Sequence, residues 1–140
     1  MVTDRVVQNP SEVADLAAIA ALLRAQDAEL RAAARRLYVA RDLPPAYGER
    51  AGVMLDRIIT AFAGDADDFY ACGAGLGEET ARWLRARGDR LADVVDRLHR
   101  ARVDLFLIEL PERLPAPLRT LAVRQIAWFL TGYIGRLYSG

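Results

Sequence analysis

The sequence predicts an all-α domain, a compact bundle of about five to six helices with two long helices at its C-terminal end. Over most of the 140 residues, apolar side chains recur at spacings of three and four, which is the pattern of amphipathic helices. No stretch alternates apolar and polar residues with a period of two, so no strand is predicted. Prolines and glycines interrupt the helical pattern at a few places and mark the expected helix ends.

The composition indicates a single domain over residues 1–140. Hydrophobic residues make up 53% of the chain and charged residues 27%, which is typical of a globular protein that buries its own core. The longest stretch without charge, between Arg124 and Arg136, is too short to span a bilayer, and no secretory signal is evident at the N-terminus. We therefore expect a cytoplasmic protein without a membrane partner.

The charged residues exclude one class of partner. All 19 basic residues are arginine, and they balance 19 acidic residues, so the formal net charge is zero. Affinity for nucleic acid depends on an excess of cations that displace counterions, so direct nucleic-acid binding is not expected. The absence of lysine together with abundant alanine indicates a high-GC bacterial genome.

The first helical pattern begins at residues 9–12, where Asn-Pro-Ser-Glu combines a capping side chain, an early proline and a first-turn acid. Its apolar stripe continues to about Tyr38, with a bend expected near residues 26–27. The prolines at positions 44 and 45 end it.

A short helix is predicted from Gly52 to Phe62, ending at Gly64, and Asp65 is the expected N-cap of the next helix. That next helix contains glycines at positions 73, 75 and 77. Each glycine lowers helix stability by about 1 kcal/mol relative to alanine, so packing must hold this segment. Such glycines favour close contact with another helix or a local kink, and the alternative is space for a small ligand.

Two long helices are predicted after Gly88, which should end the glycine-containing helix in a left-handed conformation, with Asp89 capping the next. Residues 103–110 are apolar on nearly every side, so one neighbouring helix cannot cover them. The last helix is predicted from about Leu118 to Tyr138. The inner stripe of the first long helix consists of Leu91, Val94, Val95, Leu98, Arg102 and Leu105.

The last helix carries large apolar residues on more than one face and no acidic residue. We interpret this distribution as a contact between two subunits, because aromatic residues are enriched at interfaces; the alternative is burial within one chain. The sequence thus predicts a homodimer, with an interface formed by Phe106, Ile126, Trp128, Phe129, Leu130, Tyr133, Ile134 and Leu137.

No set of residues marks a catalytic or metal site. His99 is the only histidine and Cys72 the only cysteine, and neither has a local partner set for nucleophilic catalysis. Asp96 and His99 have the spacing of a metal pair, but a di-metal bundle needs a second such pair. The helix count is that of a globin, yet the helix expected to carry a haem ligand has no histidine. We expect no metal, no cofactor and no enzymatic activity.

An alternative hypothesis is a helical bundle that binds a small molecule, either as a binding protein or as an enzyme. Its pocket would lie between Gly73–Gly77 and the helix that bears Leu98 and Arg102. An inward Arg102 would favour a carboxylate or another anion, because guanidinium offers a fork of donors. The expected pocket residues are Cys72, Leu76, Trp83, Leu98 and Arg102.

One family resemblance adds to these observations. Leu76-Gly77-Glu78, Ala81, Arg82, Arg85, Gly88 and the run from Leu91 to Arg102 resemble the N-terminal sensor domain of RsbR-type stressosome co-antagonists and related actinobacterial regulators. The resemblance implies a globin-like, non-haem sensor domain for signal transduction in stress response or transcription regulation. It also implies dimerisation, no enzymatic activity, and transfer of a signal to a partner protein or a C-terminal output module.

Overall fold

A computed structural model of the chain describes residues 10–65 and 68–139. All regular structure in these residues is helical, which confirms the predicted fold class, and it forms a compact bundle of six helical segments. These are α1 (Pro10–Ala25), α2 (Asp27–Val39), α3 (Pro45–Thr60), α4 (Phe69–Arg87), α5 (Leu91–Arg102) and α6 (Ala116–Ser139). Two short extensions belong to them: a turn at Ala61–Asp65 follows α3, and α5 continues as a π-helical segment, Val103–Glu109, and a last turn, Leu110–Glu112.

The N-terminal half follows the predicted order with one shifted boundary. The predicted bend is a break at Gln26, whose backbone (φ −109°, ψ 20°) separates α1 from α2. The predicted capping residue Asn9 lies outside the described residues. α3 begins at Pro45 rather than Gly52, since a proline at the first position of a helix lacks only an amide hydrogen that the helix leaves unused. Gly64 then ends the helical path with φ 94°.

The N-caps of α4 and α5 differ from the predicted ones. Asp68, not Asp65, caps α4, and its Oδ1 accepts a hydrogen bond from the Tyr70 amide at 2.8 Å. Arg90 holds the N-cap position of α5 without a side-chain hydrogen bond. Asp89 instead accepts hydrogen bonds from the Tyr47 hydroxyl and Arg87 Nε, each at 2.7 Å, and so ties α3 to the α4–α5 turn.

Three glycines bring α4 and α6 into direct backbone contact. A Cβ atom added at Gly73 or Gly77 would overlap the carbonyl oxygen of Phe129 or Tyr133, and one added at Gly132 would overlap that of Tyr70. We call Gly73, Gly77 and Gly132 the glycine seam. Backbones this close allow Cα–H···O=C contacts between the helices. The α4–α6 contact is the most extensive in the bundle, so the close-packing interpretation is correct for Gly73 and Gly77, whereas Gly75 has nothing within 4 Å of a Cβ position.

Most of the predicted subunit interface lies in the core of a single chain. The exposed fraction of Phe129 is 0%, whereas that of Trp128 is 52% and Ile134 is half-buried. The interface prediction is therefore wrong for the six residues that are buried within one chain; the last helix packs mainly on α4, with further contacts to α1 and the π-helical segment. Apolar residues on several faces of α6 are explained by its central position. The six buried residues are Phe106, Ile126, Phe129, Leu130, Tyr133 and Leu137.

Among the described residues, no helix combines the length and the apolar character needed to cross a membrane.

Candidate functional site: a buried arginine beside a cavity

Arg102 is the least expected side chain in the core. It occupies the inner stripe of α5, one turn after Leu98, and only 1% of its surface is exposed. It is also the largest fully buried side chain in the described part of the chain. Its Nε, Nη1 and Nη2 atoms are all buried, and none has a hydrogen-bond partner among the described residues. The inward position predicted for Arg102 is thus what the structure shows.

Two tyrosines are the electrostatic neighbours of Arg102. Its Cζ atom lies 5.4 Å from the ring centroid of Tyr133, within the range of a cation–π contact. Burial raises the pKa of Tyr38 well above its usual range, and the charge of Arg102 opposes this rise. Burial likewise raises the pKa of Tyr133, whereas the charge of Arg102 and a hydrogen bond with Thr80 lower it. The two phenols are therefore neutral at pH 7 and leave the guanidinium charge uncompensated.

The acidic residues near Arg102 in sequence are engaged by other arginines. Asp104 accepts a hydrogen bond from Arg41 at 2.8 Å. Glu109 accepts one from Arg113 at 2.9 Å. Because each carboxylate already has its own cation, Arg102 remains a buried charge without a counterion in the described part of the chain. Burial of an unpaired ion costs several kcal/mol, so this side chain destabilises the fold that contains it.

A cavity lies beside Arg102, between α5 and α6. Its volume is about 180 Å³, and its rim carries the exposed residues His99, Ala127 and Thr131. The Thr131 hydroxyl already donates to the carbonyl oxygen of Ala127 at 2.8 Å, so it has no hydrogen left for an occupant. The walls are mainly apolar. The lining residues are His99, Arg102, Val103, Leu107, Ala127, Leu130, Thr131 and Ile134.

The guanidinium is covered in this structure. Each of its three nitrogens exposes less than 1 Å², although Arg102 forms part of the cavity wall. A molecule in the cavity therefore reaches these nitrogens only after a wall side chain, or Arg102 itself, moves. Three of the wall residues, Val103, Leu107 and Ile134, are half-buried rather than fully enclosed.

The five residues predicted to form a pocket do not come together around one. Leu76 and Leu98 are core residues, and the segment Gly73–Gly77 is closed by the backbone of α6. Trp83 packs against Tyr47, with ring centroids 5.2 Å apart, and faces Arg87. Only Arg102 lines the cavity.

Cys72 is half-buried on α4, and burial is the main cause that raises the pKa of its thiol. A raised pKa keeps the group in its thiol form at neutral pH, and the thiol is the less reactive form. Among the described residues around it, nothing indicates a nucleophile.

The residues of α6 that line the cavity were not predicted to form a pocket. Leu130 and Ile134 were assigned to a subunit interface, and Ala127 and Thr131 carried no signal in the sequence. The one available signal was the inward arginine on the stripe of α5. No acidic residue lies three or four positions from Arg102 on the same helix. A counterion for this arginine must therefore come from another element or from a ligand.

A second surface depression is larger, but none of its described polar side-chain atoms is both buried and without a hydrogen-bond partner. It measures about 380 Å³ and is lined by Arg24, Asp27, Asp56, Ile59 and Thr60. Both of its carboxylates are paired with Arg31. Within the described ranges, no group of three or more His, Cys, Asp or Glu side chains could hold a metal ion.

The buried tyrosines predict a loss of stability in alkali. Because the pKa values of Tyr38 and Tyr133 are higher in the folded state than in the unfolded state, folding stability is intact below pH 10, near the unfolded pKa. Above pH 10 it should fall by about 1.4 kcal/mol per pH unit for each tyrosine. Urea unfolding at pH 9.5, 10.5 and 11.5 measures the slope, and Tyr38→Phe should reduce it. An unchanged slope in Tyr38→Phe would contradict the prediction.

Comparison with known proteins assigns no family. The chain matches no family model, no curated protein and no solved structure.

Proposed function

We propose that this chain is a ligand-binding sensor domain, and that its ligand is a small anion held by Arg102 beside the α5–α6 cavity. The single observation that carries the proposal is the buried guanidinium without a hydrogen-bond partner among the described residues, on the wall of a cavity that opens to solvent. An anion would supply the missing counterion. It would also stabilise the folded state by binding to it alone.

The covered position of the guanidinium supports a sensing role. Because a ligand reaches Arg102 only after the wall moves, occupancy and the arrangement of α5 against α6 are coupled. A ligand that binds one arrangement better shifts the population toward it. A change of this kind in the position of α5 is a signal that a partner protein or an output module can read.

The remaining parts of the proposal come from the sequence resemblance. They are the globin-like, non-haem character, the place in stress response or transcription regulation, and a role that is regulatory and not enzymatic. Self-association also stays an expectation. Of the eight residues assigned to the interface, Trp128 alone is exposed, and its ring lies 4.9 Å from that of Tyr70 on the outer face of α4 and α6.

Removal of the buried charge should stabilise the ligand-free protein. Arg102→Met keeps a long side chain of similar reach and removes the uncompensated ion. We expect a gain of about 2 kcal/mol, because relief of the desolvation penalty exceeds the lost cation–π contact with Tyr133. For a chain of this size, the gain corresponds to a rise in Tm of roughly 5–10 °C. Thermal and urea unfolding measure both quantities.

Arg100→Met is the matched control for this substitution. Arg100 lies on the same helix and is exposed, with an ion pair to Asp96 at 3.3 Å. Its replacement should change stability by less than about 0.5 kcal/mol. A clear loss of stability in Arg102→Met would mean that the guanidinium has a favourable structural role, and it would contradict the proposal.

Binding itself is tested with simple anions. Thermal unfolding of the wild type is followed while sodium chloride is replaced, at constant ionic strength, by sodium acetate, hexanoate, benzoate, phosphate or sulfate. At least one anion should raise the Tm saturably, and Arg102→Met should lose the effect. If none of them does so, or if the effect survives in Arg102→Met, the proposed function is wrong.

A further inference from the structure

We infer that the anion recognised by Arg102 is an apolar monocarboxylate, a molecule with one carboxylate group and a short aliphatic or aromatic body. This inference rests on the proposed function and adds the chemical class of the ligand. Three properties of the site lead to it: the number of charges, the geometry of the donors, and the size and polarity of the cavity.

The lining of the cavity carries a single permanent positive charge. Arg102 is the one arginine among the lining residues, and the phenols of Tyr38 and Tyr133 beside it are neutral at pH 7. A monoanion neutralises this charge completely. A phosphate or sulfate dianion would carry a second negative charge into a region of low dielectric without a partner, which is unfavourable.

The free donors match a carboxylate. The guanidinium is planar, and its Nε, Nη1 and Nη2 atoms are all without partners among the described residues. Two parallel N–H groups of such a fork bind the two oxygens of one carboxylate. A tetrahedral anion needs further donors on other sides. The Thr131 hydroxyl does not provide one, since its hydrogen is used by the Ala127 carbonyl.

The cavity fits an apolar body of limited size. Five of its lining residues, Val103, Leu107, Ala127, Leu130 and Ile134, are apolar. Its volume of about 180 Å³ is somewhat larger than the ~150 Å³ of an apolar protein cavity that holds benzene. The space therefore suits a body of roughly five to eight carbon atoms. The exposed residues at the rim leave a path to solvent for entry.

The test uses probes that separate charge from apolar character. Hexanoate and benzoate carry both, acetate carries the charge with almost no body, and hexanol and hexylamine carry the body without the negative charge. Phosphate and sulfate carry charge in tetrahedral form. Each is titrated into the wild-type protein at pH 7 and constant ionic strength, with Tm and calorimetric heat as readouts.

Two variants locate the binding. Arg102→Met removes the cation, and Ala127→Trp fills the cavity from an exposed position of α6. Val123→Trp places the same side chain on α6 at a position that does not line the cavity and serves as the matched control. Circular dichroism confirms that each variant is folded before it is titrated.

We expect the Kd of hexanoate or benzoate to be at least about tenfold lower than that of acetate, phosphate or sulfate. Hexanol and hexylamine should not bind. Both Arg102→Met and Ala127→Trp should lose the binding, and Val123→Trp should keep it. This set of results supports the inference.

Other outcomes overturn it in distinguishable ways. If phosphate, sulfate or acetate binds as tightly as hexanoate, and Arg102→Met abolishes this binding, the proposed anion site stands and the ligand class is wrong. If hexanol binds as well as hexanoate, or if Arg102→Met still binds hexanoate, charge plays no part, and both the inference and the proposed function fail. Undiminished binding to Ala127→Trp places the ligand outside the cavity and overturns the inference alone.

Discussion

The Phe129→Asp variant is expected to be unfolded. Phe129 is fully buried in the centre of α6, and its backbone contacts Gly73 of α4. Loss of the ring would cost about 3–5 kcal/mol, and an unpaired carboxylate in the same place adds several kcal/mol more. The sum is comparable to the whole stability of a typical domain. Circular dichroism at 25 °C should therefore show little helix.

Trp128→Asp is the matched control, because Trp128 is the next residue on the same helix and more than half of its side chain is exposed. It should remain folded. Sedimentation of this variant and of the wild type over a range of concentrations then measures whether the outer face of α6 contributes to self-association. A Phe129→Asp chain that is folded and monomeric would restore the prediction that Phe129 lies at a subunit interface.

The second large effect is expected at the glycine seam. In Gly73→Ala, the added methyl group would overlap the carbonyl oxygen of Phe129 and lie within 3.2 Å of its Cα atom. Both are backbone atoms of a helix, so no side chain can rotate away, and α4 and α6 must separate. We expect a loss of about 3 kcal/mol or more, since overpacking against rigid atoms exceeds the small gain in helix propensity. Urea unfolding measures the difference.

Gly75→Ala provides the control for this substitution in the same helix. A Cβ atom at Gly75 meets nothing within 4 Å, so only the intrinsic preference for alanine acts. The variant should be more stable than the wild type by up to about 1 kcal/mol. If the two substitutions changed the free energy of unfolding equally, α4 and α6 would not be in backbone contact at Gly73, and the glycine seam as described would be wrong.

The sequence predicted local helical features better than contacts between residues that are far apart in the chain. Gly88 ends α4, and Arg102 faces inward, because a left-handed turn and a helical stripe are properties of a few neighbouring residues. The capping role of Asp89 was wrong because two donors compete for its carboxylate, and one of them, Tyr47, lies 42 residues away. A contact of that kind leaves no trace in the local pattern.

The candidate site was predicted in part for the same reason. The helix stripe predicted an inward Arg102, but not which helix it faces. The apolar residues around α6 were consistent both with a second subunit and with neighbouring helices of the same chain. Hydrophobic periodicity shows how many faces of a helix are buried, but not which element buries them. The glycines of α4 then suggested space, whereas the backbone of α6 fills it.

The glycine seam also determines where the bundle is stiff and where it yields. α4 and α6 touch through backbone atoms, so a relative displacement of these two helices meets hard repulsion at once, and the pair forms a rigid frame. α5 faces this frame across a cavity and continues into the wider turn of the π-helical segment Val103–Glu109. We therefore expect the mechanical compliance of the bundle to be concentrated along α5, the helix that carries the buried charge.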